Sequence, residues 1–302
     1  MHEVAILGAG DLGGSLAYLL ARRSLVQRIR LIDDAGQVAA GKALDIMQAS
    51  PIDSFSTHVS GSTDLTTAAG ASILVIADRA ASLKPGPADA GSAESGRSAG
   101  TNGAAVDEWQ GEPGLRLLTR LSQLARDRIV VCAGATQREL VERGVSELGF
   151  HGDRLFGSAP EALASAVRAL VALEAGGSVK DVALTVLGIP PGQVVVPWEE
   201  ATIGGRLATR VLDEPARRRL AARVAPLWPP GPYTLAAAAA EVVAGLIGAS
   251  HRVVSSFVAP ASQGRSRTVA LPVRLGPSGV VRIDVPGLSV QAQVALDGAM
   301  LR

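Results

Sequence analysis

The chain has 302 residues, enough for two modest domains or one large one with a sizeable buried core. A net charge of +1, from 29 basic and 28 acidic residues, gives no electrostatic footprint for nucleic acid. Hydrophobic residues make up 47%, yet the most apolar stretch, 235–249, is interrupted by Glu241, Gly245 and Gly248 and is too short to span a bilayer. A single cysteine, Cys132, excludes an internal disulfide and fits a reducing compartment. The first residues lack the basic and apolar regions of a signal peptide, so the expected location is the cytoplasm.

Residues 3–7 read as a strand with the apolar run Val4-Ala5-Ile6-Leu7, and the chain then turns through Gly8-Ala9-Gly10-Asp11-Leu12-Gly13-Gly14 into a segment whose Leu16, Leu19 and Leu20 mark a helical apolar face. A second strand is expected at 30–32, its apolar residues closed by Asp33, and a third at 72–77, completing a parallel-sheet pattern. Residues 86–106 are mostly Gly, Ala, Ser and Asn. Such a tract cannot bury enough surface to offset its ordering entropy, and a mobile, lid-like loop is expected. Helical periodicity resumes at 115–118, and 129–131 reads as another strand. From about residue 155 the texture changes to Ala-rich helices at 161–174, 215–224 and 235–247. Two late strands, 268–275 and 280–284, flank the hairpin signal Gly276-Pro277-Ser278-Gly279.

Strand, G-x-G-x-x-G turn, apolar helix, strand and acid, in that order, read as a dinucleotide site; the weaker alternative is a merely structural βαβ unit. The glycines Gly8, Gly10 and Gly13 serve the tight turn, the approach of backbone to a pyrophosphate, and helix-to-strand packing. Asp11 and Leu12 lie within the turn. Asp33 would hydrogen-bond the adenosine ribose, and its charge would repel the extra phosphate of NADP. These six residues are the expected cofactor-binding set.

The segment Gly41-Lys42-Ala43-Leu44-Asp45-Ile46-Met47-Gln48-Ala49-Ser50-Pro51 resembles the helix after the second strand in the malate and lactate dehydrogenases. Ser178-Val179-Lys180-Asp181-Val182, Val186-Leu187-Gly188, Thr202-Ile203-Gly204-Gly205, and Pro272-Val273-Arg274-Leu275-Gly276 with Gly279-Val280 continue the likeness in family order. It is closest to the malate dehydrogenases of the lactate-dehydrogenase-like type. The resemblance implies an α/β fold: a Rossmann-type doubly wound parallel sheet over 1–135, followed by an α+β C-terminal domain over 136–302. It also implies NAD as cofactor, a small-molecule substrate and a homo-oligomer, dimer or tetramer.

The family's chemistry uses a histidine to exchange the hydroxyl proton and an aspartate to orient it. Arginines bind the substrate carboxylate and polarise its carbonyl. Where the resemblance places a His-Gly-Asp turn, this chain reads Ile189-Pro190-Pro191-Gly192-Gln193, with Pro191 in the histidine's place. The motif for the aspartate and the carboxylate-binding arginine reads Gly157-Ser158-Ala159-Pro160-Glu161-Ala162-Leu163-Ala164-Ser165-Ala166, putting Leu163 and Ala166 there. Ala133 stands for the asparagine after the Ile-Val-Val strand. Leu83-Lys84-Pro85-Gly86 replaces Arg-Lys-Pro-Gly, and Val106 aligns near the lid arginine. No catalytic residue is assigned.

His151-Gly152-Asp153 reproduces the missing tripeptide, but it precedes a strand and should face the edge opposite the ligands. His2, His58 and His251 have no motif context. Cys132, at a strand end, reads as a small buried residue before it reads as a nucleophile. Arg97, alone in the lid tract, is poorly placed to replace the missing arginine. Three functions follow: an NAD-binding family member that has lost hydride transfer, an active oxidoreductase with relocated groups, or a non-catalytic interaction protein.

Overall fold

A computed structural model of the chain describes residues 2–80, 108–259 and 267–301. The tract 86–106 with Arg97 and Val106, and Leu83-Lys84-Pro85-Gly86, lie outside the described residues.

The first half runs β1 (Glu3–Leu7), α1 (Asp11–Arg22), β2 (Arg28–Ile32), α2 (Gly36–Asp53), β3 (His58–Ser62) and β4 (Ile73–Ile76). It continues through α3 (Gly111–Leu124), β5 (Ile129–Cys132), α4 (Arg138–Ser146) and β6 (Leu155–Gly157). All residues of β4 and β5 are buried, as expected of β-branched runs covered by helices on both faces. Parallel pairing joins these strands in the order β3-β2-β1-β4-β5-β6, so the order reverses between β1 and β4. A doubly wound sheet binds its ligands at such a reversal, outside the carboxyl ends of the strands.

The second half comprises α5 (Ala159–Glu174), β7 (Val182–Ala183), β8 (Leu187–Ile189), β9 (Gln193–Val195), β10 (Thr202–Ile203), β11 (Arg206–Leu207), α6 (Ala208–Val211), α7 (Glu214–Ala222) and α8 (Pro232–Leu246). It closes with β12 (Val254–Val258), β13 (Val269–Gly276), β14 (Gly279–Ile283) and α9 (Val290–Leu301). An antiparallel pairing of Phe257 with Gly157 continues the parallel sheet into β12, β13, β8 and β9. β12 was not expected from the sequence, because Ser255 and Ser256 interrupt its apolar run; both are fully buried.

The helices begin slightly earlier than their apolar residues suggest. Proline occupies the first turn of α5, α7 and α8, where its missing N–H is no loss. Asp213 also caps α7, accepting the Ala216 amide at 2.8 Å. α8 is buried nearly all round, and its alanines let it pass close to both α1 and α5. No helix among the described residues is long and apolar enough to cross a membrane.

Candidate functional site

The turn between β1 and α1 lies at the crevice where the strand order reverses. Gly8 has φ +113°, and a Cβ there would come within 1.9 Å of the Asp78 carbonyl oxygen, so only glycine fits. Gly10 caps α1 without a side-chain hydrogen bond. Gly13 lies against the Gly8 carbonyl, where a Cβ would approach to 2.0 Å. The Leu12 side chain is in the core, whereas Asp11 is exposed, its carboxylate 3.8 Å from Lys42 Nζ. Lys42 Nζ donates to the Gly10 carbonyl at 2.6 Å, tying α2 to the turn.

Asp33 follows β2 and is buried. Its Oδ2 accepts the amides of Ala9 at 2.7 Å and Ala80 at 2.9 Å, and its Oδ1 accepts that of Ala35 at 2.9 Å. A carboxylate has about four acceptor sites, so three backbone amides use most of its capacity. The side chain thus braces the glycine turn from below.

Asp78 braces it from above and was not singled out by sequence. It follows β4 and is 3% exposed. Its Oδ1 accepts the Gly13 amide at 2.7 Å and its Oδ2 the Leu12 amide at 3.0 Å, two of the donors that open α1. Burial pushes the Asp78 carboxyl above the ordinary aspartate value, and the amides of Gly13 and Leu12 offset only part of that. A pyrophosphate at this crevice needs those same helix-opening amides. Asp78 thus holds two of the donors that the expected NAD site would offer.

One strand over, Glu108 repeats the arrangement. It is buried, and its carboxylate accepts the amides of Ala135 and Thr136, each at 2.7 Å, and the Thr136 hydroxyl at 2.6 Å. Gln137 completes this loop, accepting the Gly134 amide at 2.9 Å and donating to the Ala77 carbonyl at 3.0 Å.

Among the described residues, the positions that the resemblance sets against the family's catalytic groups lie on α5 and just beyond β5 and β8. Leu163 and Ala133 are fully buried among apolar neighbours, Ala166 lies half-buried on α5, and Pro191 is exposed in the turn between β8 and β9. Two residues beyond Ala166, Arg168 is committed elsewhere: its guanidinium meets Glu161 at 2.8 Å and donates to the Leu184 carbonyl at 3.0 and 3.2 Å. His151 is exposed at the amino end of β6, the edge away from the crevice. His2 and His251 are exposed in connecting segments, and His58 is exposed at the start of β3. The Cys132 thiol is pushed up to about 12 by burial and the nearby Glu108 charge, so it stays protonated and packs as core. Among the described residues no cluster of His, Cys, Asp and Glu could hold a metal ion.

A doubly wound parallel sheet with a glycine turn at its switch point, continued into an antiparallel second half, defines the NAD-linked dehydrogenase class of fold. Residues 2–88 match the family model of the lactate/malate dehydrogenase NAD-binding domain. The malate dehydrogenase of Thioalkalivibrio sulfidiphilus is 30% identical over 223 residues, covering 74% of this chain and 68% of that protein. That of Thermomicrobium roseum is 27% identical over 98% of this chain and 94% of its own. Among solved structures, the malate dehydrogenase of Salinibacter ruber superposes with a TM-score of 0.77 at 20% identity, covering 98% of this chain and 93% of that one. A Cryptosporidium parvum lactate dehydrogenase complexed with lactic acid and nicotinamide adenine dinucleotide gives 0.80 at 18% identity, covering 99% and 94%. The chain belongs to the malate/lactate dehydrogenase family.

Proposed function

We propose that this chain is a pseudoenzyme of its family: a cytoplasmic homo-oligomer that keeps the framework of the NAD domain, roughly residues 1–135, and of the substrate domain, 136–302, without 2-hydroxy-acid dehydrogenase activity. Gly8, Gly10, Asp11, Leu12, Gly13 and Asp33 retain the outline of the family's cofactor site. The observation that carries the reading is Leu163, fully buried in an apolar cluster where the resemblance puts the aspartate that orients a catalytic histidine. An imidazole introduced opposite it would have no carboxylate to hold its charged form. Pro191 and Ala166, at the proton-exchange and carboxylate-binding positions, supply neither a proton carrier nor a cation. For assembly, exposed Leu44 and Ile52 on α2 and Tyr233 on α8 offer apolar surface to a second copy.

The reading is tested by following NADH oxidation with oxaloacetate and with pyruvate. Rates indistinguishable from the protein-free reaction support it. Saturable turnover that one point substitution abolishes would replace it with an active oxidoreductase whose groups have moved.

A further inference from the structure

The dinucleotide crevice contains an anion of the chain's own. Asp78 takes the Leu12 and Gly13 amides with separate carboxylate oxygens, in the manner of a bound phosphate at a helix N-terminus. Its backbone is fixed as firmly as its side chain. The Asp78 carbonyl accepts the Gly10 amide at 3.3 Å, and Asp78 forms an antiparallel bridge with Glu108. The next residue, Arg79, lies 4.9 Å from the Trp109 ring centroid and pairs with Asp34 at 2.9 Å. Gly8 and Gly10 lack side chains where Asp78 sits, so two of the three fingerprint glycines accommodate the chain itself.

We propose that Asp78 is an internal plug: its carboxylate and the pyrophosphate of a dinucleotide are mutually exclusive occupants of the Leu12 and Gly13 amides. A second anion brought to those donors would meet a charge that is buried and already hydrogen-bonded, so a dinucleotide enters only when Asp78 leaves. Glu108 satisfies the amides of the neighbouring loop in the same way, so the carboxyl edges of both β4 and β5 are closed by the chain's own acids. The inference goes beyond loss of catalysis, and it is read by binding rather than turnover.

The experiment compares NADH binding by the full-length protein with that of Asp78→Ala and Asp78→Asn, using cofactor fluorescence at neutral pH. Alanine frees both amides. Asparagine retains one acceptor and turns an N–H₂ toward the other donor. Both variants should bind NADH more tightly than the parent, by about 10–100-fold for alanine, the worth of hydrogen bonds to a charged group. Folded variants that bind no better than the parent would overturn the proposal. If neither variant folds, the amide resonances of Leu12 and Gly13 in the parent decide. The proposal requires either no shift with millimolar NADH or a saturable shift in which the Asp78 carboxyl carbon resonance moves with them, and a saturable shift that leaves the Asp78 carboxyl unmoved would overturn it.

Discussion

A Cβ placed on Gly10 would come within 2.1 Å of Asp78 Oδ2, so the middle glycine of the fingerprint is required here by a carboxylate of the same chain. A close approach of backbone to anion is what that glycine serves in a dinucleotide site. In this chain the anion is covalently part of the protein.

Gly10→Ala should therefore destabilise the fold, and Asp78→Ala should relieve part of that loss. Relief is partial because the same Cβ would also lie 2.7 Å from the Arg79 carbonyl oxygen. A double-mutant cycle by urea unfolding should give a coupling of about 1 kcal/mol or more. Strict additivity would mean that Gly10 does not answer to Asp78.

Asp33→Ala leaves the amides of Ala9, Ala35 and Ala80 without their acceptor, the first and last of them in buried contacts. A buried donor without a partner costs about 1–3 kcal/mol, so the variant should lose on the order of 3 kcal/mol in stability even with no cofactor present. A thermal melt unchanged from the parent would show that Asp33 waits for a ligand instead of bracing the turn.

Asp78 also predicts a pH dependence. Its folded value is raised above 3.8, chiefly by burial, so the folded protein holds this proton more tightly than the unfolded chain. Its contribution to stability is full below the unfolded value and is lost as pH rises through the folded one. Lys42, which favours the charged form, limits the effect. Asp78→Asn removes this titration, so the stability difference between variant and parent should shift in the variant's favour from about pH 4 to pH 7. A shift in the opposite direction in urea melts would contradict the burial argument.

The Glu161–Arg168 pair, both on α5, fastens that helix to β12 and to the segment after β7. Glu161 also accepts the Ser255 amide on β12 at 2.8 Å, while Arg168 reaches the Leu184 carbonyl. Arg168→Ala leaves a buried carboxylate unpaired and should cost about 3–5 kcal/mol. The double variant Glu161→Leu/Arg168→Met should recover only part of this, because the Ser255 N–H and the Leu184 carbonyl still lose their partners. Denaturant unfolding of the three proteins separates the two contributions.

The β1-turn-α1 unit, β4 and β5 were legible because apolar runs and glycine spacing are local signals. Helices α5, α7 and α8 were legible from periodicity, α5 and α8 except for their first turns, where proline rather than an apolar residue marks the start; α6 and α9 were not expected. Asp78 and Glu108 were not. A single acid after a strand has no period, and the amides that make sense of Asp78 lie 65 and 66 residues away. The available signal was an acid two residues past the all-apolar Ile73–Ile76, the strand that pairs with β1 beside the glycine turn. Arg168 was hidden likewise, since Glu161 lies two turns back on the same helix and Leu184 in the segment just after β7.

Steady-state oxidation of NADH by the purified protein, with oxaloacetate or pyruvate, is the most direct measurement. A positioned acid or base is worth about 10²–10⁴ in rate, and one donor at developing charge about 10²–10³. These effects do not multiply, yet without both, the rate should match the protein-free control. Pro191→His should leave it there, because Leu163 cannot orient the imidazole and Ala166 cannot bind a carboxylate. Saturable turnover by the parent protein, lost on substitution of one residue, would contradict this and identify the group that took the histidine's place.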